Sequence, residues 1–193
     1  MLENVRTPGV ENLVERLESA LEAPTDHARA YAVKDVLSGM IGAGEVRLPA
    51  SFVAPLPDRY ARRLLHRDLD RGFTVVVMTW GPGQGTPLHD HAGIWCVEGT
   101  AMGEMEVVQF EKVSEAPDGS CRFEERGRAR ALAGSAGALI PPFEYHILRN
   151  GLPDGVSATI HVYGGEMDHC HLFEPQAGGG YRRVRRELSY HDA

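Results

Sequence analysis

Nine histidines occur in this chain of 193 residues, and four of them form two His-x-His pairs, His89-Asp90-His91 and His169-Cys170-His171. On an extended backbone residues i and i+2 point to the same side, so both imidazoles of a pair can reach one ion. Chance gives about 0.4 such pairs at this histidine content, so spacing alone leaves ordinary hydrogen-bonded histidine open for either. The surroundings single out the first pair. Gly83 precedes it, Cys96 and Gly103 follow, and His146 comes some 55 residues on, after several strand-like runs and Pro141-Pro142. Neutral imidazoles suit iron, nickel, copper or zinc, and open positions beside them suit oxygen chemistry at Fe(II). The nearest carboxylate, Glu98, lies two residues beyond Cys96 on the same side. It competes for a ligand position, although it sits one pleat repeat further along.

Two more groups have side chains suited to chemistry. Thr159, His161 and Tyr163 alternate, so an extended backbone puts them on one face, either as a relay or as polar residues satisfied locally. Tyr60, Arg62 and Arg63 lie in a basic run. A guanidinium fork bonds both oxygens of a carboxylate, whereas most such arginine pairs are simply solvated. The three cysteines, Cys96, Cys121 and Cys170, are an odd count without a Cys-x-x-Cys pair. That argues against a disulfide framework or zinc ribbon and fits a reducing cytoplasm; each is by default a small buried hydrophobe.

The elements that must hold these residues change character along the chain. Val10, Leu13, Val14, Leu17, Ala20 and Leu21 recur at helical spacing, Pro24 ends that helix, and Thr25 or Asp26 is placed to cap the next. In the second helix Ala28, Tyr31, Ala32, Val36, Leu37, Met40 and Ile41 form the expected apolar face, and a short basic helix is expected from Asp58 to His66. From Gly72 onward strand-like runs alternate with turns: Phe73–Trp80, Ile94–Val97, Glu104–Phe110, Cys121–Glu125, Ala138–Ile140 and Ser157–Tyr163. Short strands at such intervals indicate a β sandwich or barrel.

Charge and composition narrow the function classes. The net charge of −7 argues against general binding to nucleic acid or anionic membranes. No run approaches the ~20 apolar residues of a membrane span, and Met1–Pro8 lacks the apolar run of a signal peptide. A cytoplasmic enzyme or binding module is the expectation.

The stretch Trp80-Gly81-Pro82-Gly83-Gln84-Gly85-Thr86-Pro87-Leu88-His89-Asp90-His91, with Cys96, His146 and Thr159-Ile160-His161-Val162-Tyr163, resembles the cysteine dioxygenase family of thiol dioxygenases. The resemblance covers roughly residues 58–174. It implies a mainly β cupin fold, a small β-barrel or jelly roll with N-terminal α-helices. One domain would then span 1–193, with a helical N-terminal segment over residues 1–70, a barrel over 71–175, and a tail or edge strand over 176–193. It further implies Fe(2+) held by His89, His91 and His146, with Cys96 filling the place of the usual cupin carboxylate. Thr159 stands where the family has Ser, in a relay with His161 and Tyr163, and Tyr60 and Arg62 match the pair that binds the substrate carboxylate, with Arg63 a lesser candidate. A thioether between Cys96 and Tyr163 is also implied, because both of its partners are present.

The implied partners are a small thiol and O2, in a monomer or small homo-oligomer. L-cysteine, chelating iron through thiolate and amine, would be oxidised to its sulfinic acid. The alternatives are 3-mercaptopropionate or another small carboxylated thiol such as mercaptosuccinate, or a metal-binding cupin that senses without catalysis.

Overall fold

The computed structural model describes residues 3–193, so the first two residues of the expected helical segment and of Met1–Pro8 lie outside it. Two helices lead: α1 (Pro8–Leu21) and α2 (Asp26–Gly42). Pro8 opens α1, where its missing N–H costs nothing, and the Thr25 hydroxyl accepts the Ala28 N–H at 3.2 Å to cap α2. The buried stripe of α1 is the expected one, Val10, Leu13, Val14 and Leu17. In α2 the expected Leu37 and Met40 are buried and Val36 and Ile41 pack against the core, with Ala30 and Val33 added to the buried face and Tyr31 turned outward against His27 and Lys34.

Ten strands follow: β1 (Ala61–Asp68), β2 (Phe73–Trp80), β3 (Cys96–Met102), β4 (Glu104–Glu115), β5 (Ser120–Leu132), β6 (Ala136–Leu139), β7 (His146–Asn150), β8 (Ser157–Tyr163), β9 (His169–Pro175) and β10 (Tyr181–Glu187). They form two antiparallel five-stranded sheets, ordered β1-β2-β8-β3-β6 and β7-β4-β5-β10-β9. The helix expected over Asp58–His66 is therefore wrong: β1 pairs with β2 along its length. Both faces of β1 are covered from Ala61 to Leu65, so no polar alternation advertises a strand, and its arginines imitate a solvated helix face. The barrel thus begins near residue 61 rather than 71. The C-terminal segment does form a strand: β10 pairs with β9 along its whole length and with β5 only at Tyr181 and Arg182, so Arg183–Glu187 run along an edge.

The first sheet is buried on both sides. Val75, Val77, Val97, Ile160 and Val162 pack outward against α1 and α2. Gly99 leaves room for this contact, since a Cβ there would come within 2.8 Å of Ile41 Cδ1. The opposite face of the same strands points into the barrel, where Val76, Met78, Trp80, Cys96 and Tyr163 meet Met105, Leu148 and Cys170 from the second sheet.

Candidate metal centre

Alternation along β3 and β8 carries the site. The register sets Cys96 opposite Tyr163, Glu98 opposite His161 and Thr100 opposite Thr159, all on the barrel-facing side. On the other flank of β8, Val76 opposes His161 and Met78 opposes Thr159, and β1 adds Arg62 opposite Met78. Three rows of side chains thus cross the inner face of one sheet.

His89 and His91 come from the segment between β2 and β3, which is joined to the strands through isolated bridges, Gly85 to Arg149, His89 to His146 and His89 to Leu172. The His89 and His146 backbones exchange N–H···O bonds of 3.2 and 3.3 Å, locking the loop to the start of β7. Asp90, between the two histidines, accepts from the His171 N–H at 2.8 Å and the Ala92 N–H at 3.1 Å, and its other oxygen lies 2.9 Å from His171 Nδ1. His171, of the second His-x-His pair, is thus a hydrogen-bonded buttress of the first.

One ring nitrogen from each of His89, His91 and His146 falls within 4.8 Å of the others. His89 Nδ1 lies 3.1 Å from the Pro87 carbonyl, which accepts its proton and leaves the Nε2 lone pair facing inward. That Nε2 meets His146 Nε2 at 3.2 Å. Both His91 nitrogens and His146 Nδ1 are buried without a hydrogen-bond partner. Burial holds His89 below the usual imidazole range and pushes His91 and His146 well below it, so all three offer lone pairs. Converging neutral imidazoles with orphaned nitrogens fit a divalent transition-metal ion.

The other candidates arrange around this cluster. Trp80 Nε1–H donates to Thr159 Oγ1 at 3.0 Å, and Thr159 Oγ1 lies 2.7 Å from His161 Nε2. Thr159 Oγ1 is thereby placed to donate its own proton to Nε2, in the tautomer that carries the ring proton on Nδ1. His161 Nδ1 lies 3.4 Å from the Tyr163 oxygen, a long contact, and the phenol's own proton is left to point elsewhere in the cavity. Burial raises the Tyr163 phenol and the Cys96 thiol well above their ordinary values, so both stay protonated.

Alternation also separates the two arginines. Arg62 lines a small cavity with Tyr60, His89, His91, His161, Tyr163, Cys170 and Leu188. Its guanidinium donates to the Met167 carbonyl at 3.1 Å and the Ser189 carbonyl at 3.2 Å, and lies over the Tyr190 ring. It has no carboxylate partner among the described residues, although it is only 4% exposed. Arg63 points to the other side of β1 and donates to the carbonyls of Asp192 at 3.1 Å and Phe52 at 3.4 Å. Tyr60 stacks on Trp80 with ring centroids 4.7 Å apart.

Sequence reasoning missed the C-terminal cover. Leu188 closes one wall of the cavity, and the His191 N–H donates to the Arg62 carbonyl at 2.7 Å. Only the apolar spacing of Leu188 and Tyr190 in a basic tail hinted at it.

The two sheets and the histidine cluster between them make this a cupin with a candidate metal site. The profile of the family "Cysteine dioxygenase type I" matches residues 21–176, and the chain belongs to that family. Cysteine dioxygenase type 1 of Rattus norvegicus is 25% identical over 121 residues, covering 62% of this chain and 58% of the relative. The Homo sapiens protein of that name is 24% identical over 124 residues. The match therefore spans less than two thirds of these relatives. Among solved structures, a cupin 2 conserved barrel domain protein from Rhodopseudomonas palustris is similar at a TM-score of 0.46 and 19% identity, over 69% of this chain and 76% of that one. TT1209 from Thermus thermophilus is similar at a TM-score of 0.45 and 19% identity, over 61% and 94%.

Proposed function

We propose that the chain, acting as one domain, is an iron-dependent dioxygenase of small carboxylated thiols, with L-cysteine the first candidate. The observation that carries this reading is a buried guanidinium, Arg62, without a counter-carboxylate, in the same cavity as the histidine cluster. His89, His91 and His146 would hold Fe(2+), which when bound supplies a site where a thiolate and dioxygen meet. Both oxygen atoms end on sulfur, so RSH and O2 give RSO2H.

The chain's own residues supply the rest. Arg62 binds the substrate carboxylate through its fork, already oriented by the Met167 and Ser189 carbonyls. Tyr60 walls that end. Tyr163 directs its phenol proton into the cavity, because its oxygen faces His161 Nδ1–H and the Thr159 hydroxyl faces His161 Nε2. Leu188 and Met167 exclude water. In the same reading Cys96 and Tyr163, a directly opposed cross-strand pair, join as a thioether. One S–H and one ring C–H are lost, with dioxygen as the acceptor of both hydrogens.

The test is iron-loaded protein, oxygen uptake and product analysis. Wild type should consume about one O2 per sulfinate formed and lose two hydrogens from its intact mass after turnover. His89→Ala and His146→Ala should lose both iron and uptake. Full iron retention in these variants refutes the centre, and a Cys96 still freely alkylatable in active, unfolded protein refutes the thioether alone.

A further inference from the structure

We propose that dioxygen reaches the histidine cluster through a second, apolar cavity, separate from the one that Arg62 lines. This rests on the dioxygenase reading above. The second cavity has a volume of about 360 Å³ and opens between β3 and β6 of one sheet and β4 and β5 of the other. The Arg62 cavity is far smaller, about 30 Å³. The two meet the cluster from different sides. His89 and His91 line the Arg62 cavity, His146 lines the apolar one, and Glu98 lines both. At the inner end of the apolar cavity the His146 ring is fully buried, and its Nδ1 has no hydrogen-bond partner among the described residues.

The walls show how the opening arises. The β3–β6 register sets Leu139 opposite Cys96 and Gly137 opposite Glu98, so both β6 positions lie on the barrel side. Gly137 has no positive φ, and a Cβ there would meet nothing within 4 Å. Neither a turn nor a tight contact therefore demands glycine, and its effect is to leave space where a molecule can approach. On the facing wall Ala131 opposes Met105 and Ala129 opposes Val107. Two short side chains again stand where longer ones would close the gap.

The two reactants need different passages. A carboxylated thiol brings charge, which Arg62 receives, and Leu188 and Met167 close in the cavity it would fill. A thiol seated in so small a space blocks that way for whatever follows. Dioxygen is uncharged and moves favourably from water into apolar surroundings. The larger cavity offers a polar ligand little: of its charged residues, Glu98 lies at the inner end and Arg130 is tied to Glu104 at 2.6 Å. A passage of this character, ending beside His146, admits dioxygen after the thiol has bound.

The experiment compares full-length wild type with Gly137→Leu and Ala129→Phe, which narrow the cavity from opposite walls and leave the histidines and Arg62 in place. In iron-loaded protein each variant should raise KM for dioxygen several-fold, with KM for cysteine and the iron content unchanged. Metal-free crystals under xenon pressure give a readout without turnover, because xenon settles in apolar cavities. Wild type should hold xenon between Gly137 and Ala131, and Gly137→Leu should not. Should one variant fail to fold, the other decides, since they lie on different sheets. An unchanged KM for dioxygen, a rise confined to the thiol, or a wild-type cavity without xenon overturns the passage, while oxygen uptake by wild type keeps the dioxygenase reading. Xenon in the cavity of a wild type that consumes no oxygen with any thiol overturns that reading, and the passage with it.

Discussion

Strand β8 and the hairpin β4–β5 both carry many polar side chains, in opposite surroundings. Every residue of β8 is buried, and its Thr159, His161 and Tyr163 face other polar groups at contact distance. The outer half of β5 is exposed, and its arginines pair with glutamates: Arg126 with Glu111 at 2.6 Å, Arg128 with Glu125 at 2.7 Å, and Arg130 with Glu104 at 2.6 Å. In the hairpin each ion has water as an alternative partner, so losing one pairing changes little. On the inner face of β8 there is no such alternative, and each removal leaves a neighbour unsatisfied. Density of charge therefore does not mark the important site here. The shortage of alternatives does.

The largest effect within that contrast is expected at Arg62. Loss of a charge-assisted contact to a substrate carboxylate costs roughly 1.5–3 kcal/mol, about 10- to 150-fold in kcat/KM. Arg62→Ala should therefore raise KM strongly for cysteine and much less for cysteamine, which has no carboxylate. Arg63→Ala, on the opposite side of β1, should lower the urea midpoint and leave the ratio between the two thiols unchanged. Equal losses for both substrates in Arg62→Ala would give that arginine a structural role only.

This pair also shows where the sequence was readable. The bounds of β8, Ser157–Tyr163, and its alternating polar face were legible because turn residues frame a β-branched run. The three histidines were legible from a motif whose local geometry survives even outside a regular strand. Strand β1 was not, because its first two arginines, Arg62 and Arg63, are held by backbone carbonyls more than 100 positions away, at Met167, Ser189 and Asp192. On α2 the exception is Tyr31, which counts as apolar in a periodic pattern while its ring is satisfied at the surface by His27 and Lys34.

A second effect, on stability rather than on activity, is expected from acid. Burial lowers the proton affinity of His89, His91 and His146 in the folded chain, whereas unfolded histidine titrates at about 6.5. Between the two values the unfolded chain binds more protons, so this contribution is complete above about pH 6.5 and is lost as pH falls. Each histidine adds a slope of up to ~1.4 kcal/mol per pH unit. Urea midpoints of metal-free protein from about pH 7.5 down to about pH 5 should fall steeply, and His91→Ala should flatten the curve. Parallel curves for the two proteins would mean that His91 is charged or solvated in the folded state.

The smallest effect is expected in the hairpin, and its ordering sharpens the comparison. Arg128 is more than half exposed, and both of its partners, Glu106 and Glu125, reach water as well. Arg128→Ala should leave the urea midpoint and its pH profile indistinguishable from wild type. Arg130 differs, because both of its contacts, each 2.6 Å, go to a Glu104 carboxylate whose side chain is only 10% exposed and whose stem packs on Gly151. Glu104 also begins β4, and its backbone is bonded to the Ser157 hydroxyl at the start of β8. Arg130→Ala should therefore lower the midpoint measurably, the one hairpin arginine to do so, because its partner is the carboxylate that the fold has half withdrawn from water. A midpoint shift in Arg128→Ala as large as that in Arg130→Ala would show that exposure is not what separates the hairpin from the interior.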